Sequence, residues 1–96
     1  MKAFKDIKFK QHKVGKGAIQ GLLKLDNGIE FSVVAGKGMY STGKGGVREA
    51  VDKVEDVSTF EVAVFDQDGN FIGADNDLVL GWQSRNDIDK LIQIHS

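Results

Sequence analysis

Apolar and polar positions alternate on both sides of an Asn-Gly pair in AIQGLLKLDNGIEFSVVAG, residues 18–36, and this pattern predicts a β-hairpin. A two-residue Asn27-Gly28 loop would set Leu23 opposite Ser32 and Leu25 opposite Glu30, mixing an apolar face with a polar one. A three-residue loop, Asp26-Asn27-Gly28, with Gly28 left-handed in a bulge, sets Leu25 against Ile29, Leu23 against Phe31 and Gly21 against Val33. The second register keeps one face apolar and is the one expected. TFEVAVFDQDGNFIGA, residues 59–74, predicts another hairpin, with Phe60 to Phe65 as a strand, Asp66 to Asn70 as the turn, and Phe71 and Ile72 starting the return. Both faces of that strand read as apolar, which predicts a central strand covered on each side.

The flanking segments complete an α+β domain: an antiparallel sheet of four to five strands with a C-terminal helix packed on one face. FKDIKFKQHK, residues 4–13, reads as a short edge strand whose lysines oppose edge-to-edge pairing, so residues 1–17 form a lysine-rich strand or arm. Residues 36–46 hold five glycines in eleven positions, which predicts an exposed loop. VREAVDKVEDV, residues 47–57, places Val47, Ala50, Val51 and Val54 at helical spacing and suggests a short middle helix without a good N-cap. The final helix has a marked start: Ser84 as N-cap, Asp87 as its capping-box partner, and Asp89 still near the positive end. Ile88, Leu91, Ile92 and His95 share one stripe, and burying the three aliphatic side chains at about 1.5–3 kcal/mol each would dock the helix on the sheet.

Ninety-six residues with 41% apolar and 28% charged positions make one domain, 1–96, around a single core. No apolar run approaches the roughly 18 residues a membrane span needs, and MKAFKDIKFK lacks the apolar stretch of a signal peptide, so a cytoplasmic location is expected. The absence of cysteine excludes disulfides, thiolate metal sites and thiol catalysis. Net charge is only −1, yet residues 1–46 carry nine Lys against three acids, whereas residues 47–96 carry four basic residues against eleven acids. Either the two halves neutralise each other across the fold, or one pole meets a charged partner.

GMYSTGKGG, residues 38–46, matches seven of the eight positions of the phosphate-binding pattern G-x-x-x-x-G-K-[ST], and Lys44 stands at its lysine. Gly45 replaces the hydroxyl that would hold magnesium, and both hairpins argue against the parallel sheet such sites require, so VAVFD at 62–66 does not rescue the match. The region reads as a glycine-rich surface loop. DQDGN at 66–70 looks like half of a calcium loop, but with Gly69 at the sixth position the first falls on Val64, and a turn closed by Asp side chains is the simpler reading. Asp75 and Asp77 form a lone pair without further ligands. No metal or cofactor is expected.

His12 lies among lysines and His95 ends the last helix; neither has a nucleophile or carboxylate partner marked in sequence, and the chain is read as a non-enzyme. Lys5, Lys8, Lys10 and Lys13, with Phe4 and Phe9 between them, raise nucleic-acid binding as an alternative. The plainer reading is a solvated edge with the phenylalanines facing the core, since no arginine in the arm could read bases.

DNGIEFSVVAGKGMYS, FEVAVFDQDGNFI and DLVLGWQSRNDIDKLIQ together resemble a set of small phage and prophage proteins of unassigned activity. The shared shape is a strand ending in Asn-Gly, a Val-Ser-Val run, a Gly-x-x-x-Tyr loop, a Glu-Val-Ala-Val strand with an Asp-Gly turn, and a Gly-Trp step into an acidic helix. The resemblance covers about residues 22–95 and supplies no catalytic residues; it ends a strand near Tyr40 and Ser41 and leaves the stretch 42–57 longer than the family pattern. It implies a phage accessory protein, a class in which many members bind and disable a host factor, including anti-defence inhibitors of the anti-CRISPR or anti-restriction type. The expected partner is therefore a host protein or complex. The residues expected to meet it are Met39, Tyr40 and Lys44 in the glycine-rich loop, Asp75 and Asp77, and Trp82, because aromatic and methionine side chains are favoured interface anchors and acids could imitate nucleic acid.

Overall fold

A computed structural model describes residues 2–13, 16–72 and 79–96. It contains β1 (Phe9–Gln11), β2 (Ala18–Lys24), β3 (Glu30–Gly36), β4 (Thr42–Gly43), β5 (Gly46–Val47), β6 (Val57–Phe65), β7 (Leu80–Gln83) and one helix, α1 (Arg85–His95). The class is the expected one, an open antiparallel sheet with a single C-terminal helix, but it has seven strands rather than four or five. The five longer strands lie in the order β1-β2-β3-β6-β7, and the small β4–β5 hairpin pairs with the start of β6.

The first hairpin adopts the three-residue loop. Leu23 pairs with Phe31 and Gly21 with Val33, while Leu25 N–H donates to Ile29 O at 2.7 Å and Gly28 takes φ 91°. The Asn27 side-chain oxygen accepts from Ile29 N–H, which is the local bond that fits Asn to this turn. The second turn is closed as expected by an Asp side chain: Asp66 Oδ1 accepts from both Asp68 N–H and Asn70 N–H at 2.9 Å. Phe71 then bridges back to Phe65.

The core lies between one sheet face and α1. Phe31, Val33, Ala35, Phe60, Val62, Ile88 and Ile92 are all fully buried there, and each large side chain contributes about 1.5–3 kcal/mol. Helix α1 begins as expected, with Ser84 Oγ accepting from Asp87 N–H and Asp87 Oδ2 accepting from Ser84 N–H. The Ser84 N–H, donated to the Asp87 carboxylate, is the main cause that holds that carboxyl below its ordinary value. The helix is also tied to the arm, because Asp89 Oδ1 accepts from Phe4 N–H at 2.7 Å.

Two expectations are corrected. Residues 47–57 form no α-helix: Val47 ends β5 and is 57% exposed, Val51 is the one buried residue of the four at helical spacing, and a 3-10 turn over Val54–Asp56 leads into β6. The spacing of apolar residues was helical, but the positive φ values of Gly46 and Arg48 and the lack of an N-cap defeat it. Strand β6 is central, but it is not covered on both sides. Phe60, Val62 and Val64 face α1, whereas Glu61, Ala63 and Phe65 on the opposite face are only partly buried.

Candidate functional site

The face of β6 turned away from α1 carries one charged residue in its middle, Glu61. Phe60 pairs with Gln83 and Val62 with Leu80, so two residues of β7, Gly81 and Trp82, oppose Glu61 alone. This bulge puts Trp82 in a left-handed conformation, φ 52°, and leaves its side chain 48% exposed. Bulges of this kind re-aim side chains next to functional surfaces.

Tyr40 is fixed above the same point by its main chain. Its carbonyl accepts from Trp82 N–H at 2.8 Å, and its N–H faces the Glu61 carboxylate and favours the charged form of that group. Its ring lies 5.2 Å from the Trp82 ring, tilted by 52°, and is 44% exposed. Gly81 makes this approach feasible: a Cβ there would stand 2.9 Å from Tyr40 Cβ. The turn that delivers Tyr40 rests on Ser41, which is 1% exposed and whose Oγ accepts from Gly36 N–H at 3.0 Å.

Arg48 completes the group. Its N–H donates to Ser41 O at 2.9 Å, its backbone is left-handed at φ 61°, and its guanidinium lies 4.9 Å over the Tyr40 ring while donating to Gly38 O at 3.1 Å. Among the described residues, Arg48 and Trp82 are the two non-glycine positions with positive φ, and both flank Tyr40. Such strain costs about 1–3 kcal/mol per residue and clusters at working surfaces. Burial pushes the Glu61 carboxyl above its ordinary value, although the Arg48 charge and the Tyr40 N–H pull the other way.

Of the residues expected from sequence, the structure brings Tyr40 and Trp82 into contact. Met39 adjoins them in the same turn, half-buried, with its N–H donating to Gly36 O. Lys44 is not part of this group; it is exposed at the tip of the β4–β5 hairpin. That hairpin also ends the phosphate-loop reading, because the glycine run leads into an antiparallel strand and not into a helix N-terminus. Asp75 and Asp77 lie outside the described residues.

Lys5, Lys8, Lys10 and Lys13 are exposed, as expected for a solvated edge. Phe4 and Phe9 turn inward, with ring centroids 5.2 and 5.5 Å from Phe60, so neither ring is free to stack a base. Among the described residues no cluster of three or more metal-binding side chains occurs, and no helix is long and apolar enough to cross a membrane. A depression of about 190 Å³ lined by Lys2, Leu25, Asp26, Asn27 and Ser96 is smaller than the roughly 300 Å³ at which small-molecule sites begin.

No family model, curated protein or solved structure matches this chain.

Arg48 and Glu61 went unmarked in the sequence reading. Glu61 had a signal, as the one charge inside FEVAVF. Arg48 had none, because its role depends on a left-handed backbone and a ring that is distant in strand order.

Proposed function

We propose that the chain is a non-enzymatic binding domain that engages a partner protein through the Tyr40–Trp82 patch. The observation that carries this reading is the exposed aromatic pair, held in register by a main-chain bond, with left-handed backbone at Trp82 itself and at the adjoining Arg48. Rigid aromatic side chains lose little entropy on contact and supply large apolar area, which is why they serve as interface anchors. The phage-protein resemblance supplies the partner class: a host protein or complex, inside the infected bacterium, that binding disables, with host defence machinery as the leading target.

The test is capture from host lysate with three tagged proteins: the parent chain, Trp82→Ala and Lys10→Ala. A captured protein that is retained by the parent and Lys10→Ala, and lost about tenfold or more with Trp82→Ala, supports the patch. Equal capture by Trp82→Ala refutes it. Loss with Lys10→Ala, accompanied by nucleic acid in the eluate and steep salt dependence, would move the function to the lysine arm.

A further inference from the structure

We infer that the patch is an arginine-accepting site and that Arg48 is a resident guanidinium which an arginine side chain of the partner displaces. The inference rests on the binding reading above and names the chemistry of its partner.

The groups around Arg48 already form a receptor for a guanidinium. Tyr40 offers its ring at 4.9 Å, Gly38 offers a carbonyl at 3.1 Å, and Glu61 offers a carboxylate whose charge the Arg48 cation helps to sustain. The cation that fills this receptor is held weakly. Arg48 is exposed, and its fixed point is the backbone bond to Ser41, which does not need the side chain. Its backbone also carries left-handed strain. An exposed cation–π contact, one neutral acceptor and an attraction to Glu61 that stops short of an ion pair are modest ties, so a competitor need gain little to replace them.

The competitor has more to gain. Trp82 is the stronger cation–π ring, it lies beside Tyr40, and nearly half of it is open to solvent. A guanidinium taking the place of Arg48 over the Tyr40 ring would also meet the neighbouring Trp82 ring and be drawn to the partly buried Glu61 carboxylate. Arg48 already covers the Tyr40 ring and takes the Gly38 carbonyl that this pose needs, so occupancy by the partner requires Arg48 to swing out. A planar guanidinium suits such a site better than an ammonium, being less strongly hydrated and able to stack and pair in one pose. An anionic ligand would face Glu61 at the base of the site.

The chain has a single tryptophan, so emission excited selectively from that ring reports on this patch alone. The experiment titrates the full chain with N-acetyl-argininamide, using N-acetyl-lysinamide and sodium chloride at matched ionic strength as controls. We expect a saturable change in Trp82 emission with the arginine probe. Arg48→Ala should bind it about threefold more tightly or better, as removal of an exposed cation–π competitor implies. Glu61→Gln should bind it about tenfold more weakly, as loss of a charged hydrogen-bond partner implies. Arg48→Gly, which suits a positive φ, serves as a second variant that empties the site with no backbone penalty. Identical curves for arginine and the controls, or Arg48 variants that bind no more tightly than the parent, would overturn the inference. If the probe fails while partner capture still depends on Trp82, the binding patch stands and the arginine assignment falls.

Discussion

The backbone N–H of Trp82 donates to the carbonyl of Tyr40 at 2.8 Å, so the two exposed rings are registered by main chain and not by their own contact alone. A substitution that moves the backbone should therefore damage the patch as severely as removing a ring. Gly81 is the place to test this, because an added Cβ would meet Tyr40 Cβ at 2.9 Å. Gly81→Ala is expected to change Trp82 emission and to lower partner capture several-fold, while the far-ultraviolet circular dichroism stays as in the parent. Unchanged emission would mean that the loop yields and that the pair is not rigid.

Glu61 links the site to stability through pH. Burial raises its carboxyl in the folded chain, so the fold favours the protonated form. A carboxyl raised on folding destabilises the native state above its folded pKa, and the penalty disappears once pH falls below the unfolded value of about 4.3. Glutamine keeps an acceptor for the Tyr40 N–H without the charge. Glu61→Gln should thus melt higher than the parent at pH 7, with the difference shrinking towards zero near about pH 4. A lower melting temperature for Glu61→Gln at pH 7 would show that attraction to Arg48 outweighs burial. Retaining a carboxylate that weakens the fold is understandable where it serves binding.

The hairpins were legible because local chemistry decides them. Asp26-Asn27-Gly28 admits one register that keeps Leu23 and Phe31 on the same face, and Asp66 closes its own turn. The cap of α1 was legible for the same reason, since Ser84 and Asp87 lie three residues apart and satisfy each other. The middle segment was not, because Val51 is buried by Gly17 and Gly43, distant in sequence, and not by a helical neighbour: Val51 N–H donates to Gly17 O, and a Cβ on Gly43 would meet Val51 Cγ2 at 2.7 Å. The site was half legible. Tyr40 and Trp82 stand out as exposed-anchor residue types, but their meeting depends on a bulge that no local motif encodes.

Arg85 anchors the helix in a way charge counting conceals. Its guanidinium donates to Val57 O at 2.7 Å and to Val54 O at 2.8 Å while lying 5.5 Å from the Phe4 ring and 5.3 Å from the Phe60 ring. Two carbonyls, two rings and the arm are thereby joined to the first turn of α1. A lysine cannot reach both carbonyls in one plane. Arg85→Lys is expected to cost about 1.5–3 kcal/mol in urea unfolding, and Arg85→Ala at least as much. A loss under about 0.5 kcal/mol for Arg85→Lys would reduce the contact to a surface decoration.

The turn that carries Tyr40 starts at Gly36, and two variants there should separate strain from a missing bond. Gly36 takes φ 131°, and an added Cβ would lie 2.3 Å from Gly17 O, a backbone atom that cannot rotate away. Gly36→Ala therefore combines left-handed strain with overpacking and should cost about 2–6 kcal/mol. Ser41→Ala leaves the backbone conformation alone but strands the buried Gly36 N–H, at about 1–3 kcal/mol. For a domain of this size each kcal/mol lowers the melting temperature by about 4–8 °C, so calorimetry can rank the two. Because the same turn sets the height of Tyr40 over Glu61, Ser41→Ala should also perturb Trp82 emission in the folded state. A Ser41→Ala protein that melts like the parent would show that another acceptor takes the Gly36 N–H, and that the turn is held by its glycines alone.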